Sequence, residues 1–190
     1  YSDQPIPQDR VFEMNAGEYT NRFRLVGSTA VLEVKGVLTN HPDFWTMIGY
    51  GTSLKQIQHD FLIALNDSRV EKIVLLCDSP GGSAVGCEEV SDTIYAARGN
   101  KEIVSSVDGM CARACYKVAS AADQMYAAKS SLIGSIGSMM PRIGFKKFYE
   151  QFGLEIDLFH YGERKVDMHP LAEMTEQSRA NIQELVDSFG

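Results

Sequence analysis

The stretch that most restricts the fold of this chain runs from Lys101 to Asp123, with the sequence KEIVSSVDGMCARACYKVASAAD. Its apolar start predicts a strand over residues 102–107, and Asp108-Gly109 predicts a tight corner. The alanine-rich segment that follows predicts a helix from about residue 112 to 122, whose small side chains permit close packing. A strand, a corner and a helix in immediate succession are typical of an α/β fold.

A second junction of the same kind precedes this stretch. The apolar run KIVLLC, residues 72–77, predicts a strand that is covered on both faces, and Asp78-Ser79-Pro80-Gly81-Gly82 follows it directly. A helix is predicted from Val85 to Arg98, with Gly99 ending it. Because ligands bind beyond the carboxyl ends of parallel strands, we expect a site where the two loops meet.

The remaining patterns continue the alternation of strands and helices, which predicts an α/β domain with a largely parallel sheet. Ser53 is expected to cap an amphipathic helix over residues 54–66, with Gln56 as its capping-box partner. Thr175 is expected to cap a last helix. The other predicted features are strands at 28–38, 124–128 and Leu154–His160, a helix at Arg142–Phe152, loops at 39–52 and 130–138, and a core face of the last helix made by Ile182, Leu185, Val186 and Phe189.

Composition excludes several classes of function. The chain has 190 residues, of which 44% are hydrophobic. This suits an N-terminal arm over residues 1–27 and one α/β domain over residues 28–190. A net charge of -7 without a basic block makes a nucleic-acid partner unexpected. No apolar run reaches the roughly 20 residues that span a bilayer, and the N-terminus lacks the features of a signal peptide, so neither is expected.

The four cysteines, Cys77, Cys87, Cys111 and Cys115, fit a reducing, cytoplasm-like compartment. Cys77 lies in an apolar strand pattern, where a reduced and buried thiol is expected. Cys111 and Cys115 are four residues apart, but no nearby histidine or second cysteine pair completes a zinc set. We therefore expect no metal site, and the four histidines show no spacing that indicates a catalytic triad.

The loop at Gly81-Gly82 has the backbone freedom that a binding site for an oxygen atom needs. Paired glycines turn with positive φ and let a ligand approach closely, so their N–H groups can face one acceptor, as in an oxyanion hole. The start of the helix near residue 112 offers further unpaired N–H groups and could hold a nucleophile toward this loop. The alternatives are an ordinary turn and a plain strand-to-helix junction. Asp78 is expected to stabilise its turn through its carboxylate.

Five segments together resemble the signal peptide peptidase family, especially its phage-head members, within the Clp/crotonase-like superfamily. They are DSPGG (78–82), YAARGNKEIVSSVDGM (95–110), ASAAD (119–123), GSIGS (134–138) and YGERKVDMHPLAEMTEQSR (161–179). Their order and spacing match over roughly residues 28–189. The resemblance implies a single α/β domain built as a repeated β-β-α superhelix.

The resemblance also implies a function, that of a serine endopeptidase with a Ser/Lys dyad, which cleaves an extended polypeptide without a cofactor. Lys165 falls at the position of the general base, a lysine kept neutral by desolvation. Gly81 and Gly82 fall on the oxyanion loop. The family further implies a ring-like homo-oligomer, in which the dyad can form across a subunit boundary. The expected location is the cytoplasm or the interior of a phage prohead.

The chain departs from the family pattern at Arg113, the position where the nucleophilic serine is expected. A guanidinium stays protonated and offers no lone pair for attack. Three explanations stay open. Arg113 replaces serine in an otherwise active enzyme, or the chain is a natural non-catalytic relative that acts as an oligomeric peptide-binding or capsid-assembly protein, or the active site has moved.

Four other residues are candidates for a displaced nucleophile: Ser120, Cys111, Ser79 and Ser83. Ser120 shares a helix face with position 113 but lies roughly 10 Å further along the axis. A different alternative is an acyl-CoA-handling enzyme of the same superfamily, which would use a similar oxyanion hole but gives no role to the lysine segment 161–170.

Overall fold

The structure is a computed structural model, and it describes residues 23–189. The chain divides into two compact units, Tyr1–Ile136 and Gly137–Gly190. The arm predicted over residues 1–27 lies outside the described residues except for its last five, which include the first strand.

A largely parallel sheet forms the centre of the first unit. In the part of the chain that the structure describes, it has six strands: β1 (Arg24–Val26), β2 (Thr29–Lys35), β5 (Lys72–Ser79), β6 (Glu102–Ala112) and β7 (Gln124–Ala127) in that spatial order, and β8 (Leu132–Gly134) paired with β6. Strands β1 and β2 pair antiparallel, and the other pairs are parallel. The predicted α/β class with a largely parallel sheet is confirmed.

A smaller sheet joins β3 (Val37–Thr39) in parallel to β4 (Gly51–Ser53). Gly82 forms an isolated bridge to β3. A long strand, a short extended segment and a helix thus occur twice in order: first β2, β3 and α2 (Leu54–Asn66), then β5, Gly82 and α3 (Cys87–Ala96). This is the β-β-α repeat that the resemblance implies.

The helices bury the apolar faces of the main sheet in one core. Its largest fully buried side chains are those of Phe61, Leu38, Leu54, Ile73, Leu75, Ile94, Ile103, Val34, Val90, Val107 and Val118. Helix α2 has the predicted bounds, and Ser53 Oγ accepts a hydrogen bond from Gln56 N, which confirms the predicted cap. Helix α4 (Ala114–Ser120) is shorter than predicted and contributes small, buried side chains next to the sheet.

Two segments predicted as loops contain short regular elements. The segment 39–52 holds α1 (Phe44–Met47), which Asp43 and Thr46 begin with a reciprocal capping box, together with the start of β4. The segment 130–138 holds β8. Three- and four-residue elements depend on pairing with distant partners, which the glycine- and serine-rich local sequence does not show.

The second unit contains α5 (Lys146–Glu150) and α6 (Glu176–Asp187). The helix predicted at Arg142–Phe152 is limited to the five residues of α5. The strand predicted at Leu154–His160 is wrong, because these residues have no regular secondary structure and pair with no described strand. Thr175 Oγ1 accepts a hydrogen bond from Ser178 N, which confirms the predicted cap of the last helix.

Large apolar side chains of the second unit are exposed in the protomer. None of its described hydrophobic residues is fully buried, and Phe159 and Tyr161 are 95% and 100% exposed. The predicted core face of α6 is therefore wrong for the protomer, since Leu185 and Phe189 are exposed. Among residues 23–189, no helix has the length and apolar character to cross a membrane.

Candidate active site

The two central strands run further than the sequence predicts. The corner expected at Asp108-Gly109 is wrong, because β6 continues through it as a strand. The pairing of β6 with β5 becomes irregular at this point. Cys77 lies opposite Val107, whereas Ser79 lies opposite Cys111. The single residue between them on β5, Asp78, is therefore opposite the three residues 108–110 of β6. This is a β-bulge, and it re-aims the end of β6.

The carboxylate of Asp78 stabilises the bulge. Its Oδ1 accepts a hydrogen bond from Met110 N at 3.0 Å, at the point where the pairing of β6 with β5 is irregular. Asp78 is expected to stabilise its own turn, but its carboxylate bonds instead to β6 at the bulge.

Arg113 forms a strained elbow between β6 and α4. Its φ is 53° and its ψ is -123°, values that a residue with a side chain rarely adopts. Its N–H donates to Gly134 O at 3.1 Å, and its carbonyl accepts from Lys117 N at 3.1 Å. Strained strand-to-helix turns expose the nucleophile in α/β-hydrolases. The backbone at position 113 thus has a nucleophile-presenting shape, while the side chain is that of arginine.

The Gly81-Gly82 loop is held against β3 by backbone hydrogen bonds. Gly81 O accepts from Leu38 N at 2.9 Å, and Leu38 O accepts from Ser83 N at 2.8 Å. A side chain at Gly82 would overlap the Leu38 carbonyl. The loop therefore lies along β3 as an added extended segment, with little room for movement.

The two junctions meet, as the sequence predicts. Gly81 has a φ of 92°, and a Cβ atom placed on it would lie 2.7 Å from Ala112 O, 2.7 Å from Arg113 Cβ and 3.2 Å from Ala114 N. Glycine is required here on two grounds, the backbone conformation and the close approach. Position 113 is consequently adjacent to the glycine loop.

The N–H groups around the elbow differ in their availability. Gly81 N donates to Ser79 Oγ at 3.0 Å, and this hydroxyl in turn donates to Gly36 O at 2.6 Å, so the N–H of Gly81 is already paired. Over residues 23–189, neither Gly82 N nor Ala114 N donates a hydrogen bond to another residue. The two available donors are thus Gly82 and Ala114, and Ala114 is a residue that sequence reasoning did not single out.

The side chain of Arg113 is exposed and forms a hydrogen bond with Ser135, the residue that follows β8. Arg113 Nε donates to Ser135 Oγ at 3.3 Å. Ser135 also has a positive φ, of 52°. It lies in the segment 130–138, which the sequence predicts to be a loop. This serine was missed because its contact depends on the pairing of β8 with β6, which no local pattern indicates.

The four candidates for a displaced nucleophile lie in surroundings that differ from the elbow. Cys111 and Ser79 are fully buried. Ser83 Oγ donates to Val85 O, and Ser120 Oγ donates to Lys117 O at the far end of α4. None of these four side chains is both exposed and located at the elbow between β6 and α4, as the side chain of residue 113 is.

Lys165 lies in the second unit, on a run of turns in which its N–H donates to Gly162 O at 3.3 Å. Its side chain is exposed in the protomer. The protomer therefore leaves this side chain accessible to solvent.

Two contacts tie the lysine segment to α6. Asp167 Oδ2 accepts from Asn181 Nδ2 at 2.8 Å, and Arg164 forms an ion pair with Glu184 at 2.7 Å. Hydrogen bonds from Asn181 and then Ser178, with the charge of Arg164, lower the pKa of Asp167. The turn that carries Lys165 is therefore anchored on both sides of the lysine.

Buried thiols lie directly behind the elbow. The hydrogen bond from Cys115, followed by that from Cys77, lowers the pKa of the Cys111 thiol, and the contacts with Cys111 raise the pKa of Cys115 and of Cys77. Burial raises the pKa of the separate Cys87 thiol to about 11. These groups are inaccessible to a substrate that reaches Arg113.

Comparison with known families finds a similarity in the second half of the chain. Residues 96–189 match the family model described as Peptidase family S49. The match includes the elbow at Arg113 and the segment of Lys165, and it confirms the resemblance to signal-peptide-peptidase-type proteins. The similarity to Peptidase family S49 thus lies in the second half of this chain.

Two proteins with similar sequences come from bacteriophages. The chain is 31% identical over 170 residues to the head-tail preconnector protein GP5 of Enterobacteria phage P21, covering 87% of this chain and 33% of the relative. It is 29% identical over 170 residues to the capsid assembly protease C of Escherichia phage lambda, covering 87% and 38%. The chain thus spans about a third of the length of these relatives.

A solved structure of a membrane-bound stomatin-specific protease is also similar. It is 23% identical and has a TM-score of 0.42, and the match covers 60% of this chain and 48% of the protease chain.

Proposed function

We propose that this chain has the framework of a serine endopeptidase of the signal-peptide-peptidase type, and that it is catalytically silent because Arg113 occupies the nucleophile position. The observation that carries the proposal is the strained backbone of Arg113, which is held against Gly81. Backbone strain of this kind persists where surrounding structure over-determines it, and it clusters at active sites. The sequence similarity to named proteases supports the same class.

In an active form, a serine at position 113 would attack the substrate carbonyl. The N–H groups of Gly82 and Ala114 would stabilise the oxyanion, because each follows a residue of the contact between Gly81 and Arg113 and neither donates to another described group. Gly81, whose own N–H bonds to Ser79, would supply the close packing that holds these donors in place. Lys165 would take the serine proton once a substrate or a neighbouring subunit covers it.

The arginine that stands there instead blocks this chemistry in two ways. Its guanidinium offers no lone pair for attack. Its charge also stands where the dyad requires a neutral nucleophile beside a lysine, and it is held in place by Ser135. The protein as written would therefore bind a polypeptide without cleaving it.

We assign an extended polypeptide as the substrate class and a second copy of this chain as a partner. An extended peptide can pair with the backbone beside the glycine loop as an added strand. Exposed aromatic side chains in the second unit, including Phe159 and Tyr161, form apolar surface that a neighbouring subunit would cover. A ring-like homo-oligomer in the cytoplasm or in a phage prohead fits the phage relatives.

Restoring the nucleophile tests the proposal. Arg113→Ser should produce hydrolysis of an unfolded protein substrate such as casein, while the unchanged chain and the double variant Arg113→Ser/Lys165→Ala should not. Equal cleavage by the double variant, or no cleavage by Arg113→Ser in a folded protein, would contradict the Ser/Lys assignment.

Mixing variants tests whether the dyad forms between subunits. The unchanged chain keeps Lys165, and Arg113→Ser/Lys165→Ala supplies the serine, so neither is active alone. Activity that appears only in co-refolded mixtures would show a dyad formed across a subunit boundary. Activity confined to the single variant Arg113→Ser would show a dyad within one chain.

The alternative function, a non-catalytic oligomeric peptide-binding or capsid-assembly protein, is favoured by the hydrogen bond between Arg113 and Ser135, which gives the arginine a defined place. Under this alternative, the unchanged chain binds extended peptides and Arg113→Ser weakens that binding without producing hydrolysis. Peptide binding measured by fluorescence anisotropy, alongside the casein assay, separates the two functions.

A further inference from the structure

Three cysteines that are distant in the sequence converge in the core of the first unit. The Sγ atoms of Cys77, Cys111 and Cys115 all lie within 4.8 Å of one another, and Cys111 and Cys115 are 3.4 Å apart. All three residues are 0% exposed. The structure thus brings a third thiol, from β5, next to Cys111 and Cys115, which their spacing in the sequence does not show.

The bulge and the elbow together create this cluster. Cys77 and Ser79 alternate along β5 and share its buried face, and the bulge places Cys111 opposite Ser79. Cys111 therefore lies diagonally beside Cys77 on the same face of the sheet. The chain then reverses at Arg113, and Cys115 in the first turn of α4 returns over the same spot. The sequence separation of 34 residues between Cys77 and Cys111 hides this arrangement.

We propose that Cys77, Cys111 and Cys115 bind one thiophilic d10 metal ion, Cu⁺ or Zn²⁺. Thiolates are soft ligands that select these ions in proteins. A metal bonded to three sulfurs at 2.3 Å in a plane gives sulfur–sulfur distances of about 4.0 Å. The observed cluster already lies close to that triangle, so small side-chain rotations complete it.

The coordination number follows from the surroundings. Among residues 23–189, no fourth histidine, cysteine or carboxylate joins the three sulfurs. Three-coordination suits Cu⁺ directly, whereas Zn²⁺ would complete its tetrahedron with a water molecule or another small ligand. Binding displaces the thiol protons into solvent, so it is favoured as pH rises.

A metal at this position would join the ends of β5 and β6 to the first turn of α4. Cys115 lies two residues beyond Arg113, so the ion would stabilise the strained elbow from behind. Its role is structural: the sulfurs are buried and do not reach a substrate at Arg113. The proposal is independent of whether the elbow carries a serine or an arginine.

The test uses the whole reduced chain, freed of metal under anaerobic conditions and titrated with Cu⁺ or with Zn²⁺ against a chromophoric competitor. We expect one ion per chain by native mass spectrometry and a rise in the thermal unfolding midpoint. X-ray absorption of the loaded protein should show three sulfur neighbours. Failure of both ions to bind, or a first shell of nitrogen and oxygen only, would overturn the proposal without any variant.

Single variants assign the ligands. Cys77→Ala, Cys111→Ala and Cys115→Ala should each weaken binding at least tenfold. The matched control is Cys87→Ala, since Cys87 is also a buried cysteine but bonds to Ala114 O and stands outside the cluster. Binding that depends on Cys87, or that survives loss of all three cluster cysteines, would refute the assignment.

Discussion

Gly81 packs on Arg113 so closely that a Cβ atom on the glycine would lie 2.7 Å from Arg113 Cβ. This contact joins the two strand-to-helix junctions on which the candidate site depends. It fixes position 113 beside the glycine loop, and it leaves no space for a side chain at residue 81.

Substituting Gly81 should lower the free energy of unfolding by more than the strain of its positive φ alone explains. Gly81→Ala adds a Cβ that meets Ala112 O and Arg113 Cβ, and we expect a loss of about 2–4 kcal/mol in the free energy of unfolding. The matched control is Gly99→Ala, because Gly99 also has a positive φ, of 83°, but has open space around it. Its loss should be about 1 kcal/mol. Equal losses in urea denaturation would show that the contact is not tight.

Relieving the strain at position 113 should stabilise the fold. Arg113→Gly and Arg113→Ala both remove the hydrogen bond to Ser135, but only glycine adopts a φ of 53° at low cost. We expect the glycine variant to exceed the alanine variant by about 1 kcal/mol in the free energy of unfolding. An alanine variant that is equally or more stable would argue against a strained elbow.

Arg98 stabilises the end of α4. Its guanidinium donates to the carbonyls of Ser120, Ala121 and Ala122, which the helix leaves unpaired. Arg98→Ala should cost about 2 kcal/mol by urea denaturation, because these carbonyls lose a charged donor. Arg69→Ala, which removes an arginine that pairs with Asp67 at the surface, serves as the control and should have a much smaller effect. Similar losses for both variants would contradict the capping role.

The anchoring of the lysine segment should weaken in acid. The pKa of Asp167 is lowered in the folded protein, so its contribution is complete above its ordinary pKa, near 4, and is lost as the pH falls below that value. Hydrogen exchange measured by mass spectrometry, corrected for the intrinsic rate, should show protection of residues 162–169 falling over this range. Asp167→Asn should remove the pH dependence. An unchanged profile in that variant would assign the effect to other groups.

The sequence was sufficient to predict the elements that depend on local patterns. The run Lys72–Cys77 identified a covered strand, and Ser53 and Thr175 marked helix starts that the structure reproduces. The proximity of Gly81 to Arg113 also followed, since strands in a parallel sheet present their carboxyl ends at one edge.

Features that depend on distant pairing were not predictable in the same way. The alternation in Leu154–His160 indicates a strand only if a partner is present, and no described strand pairs with it. The bulge opposite Asp78 changes a predicted corner into a continued strand. That irregularity brings Cys111 beside Cys77, and no local spacing shows it.

The central claim is that position 113 is a nucleophile elbow whose side chain alone prevents catalysis. The most direct measurement is labelling of the Arg113→Ser variant with a serine-directed fluorophosphonate, read by intact mass and peptide mapping. We predict one adduct per chain, located at residue 113, which is lost when Lys165→Ala is added. An unlabelled but folded Arg113→Ser protein, or an adduct at Ser79 or Ser120, would contradict the account.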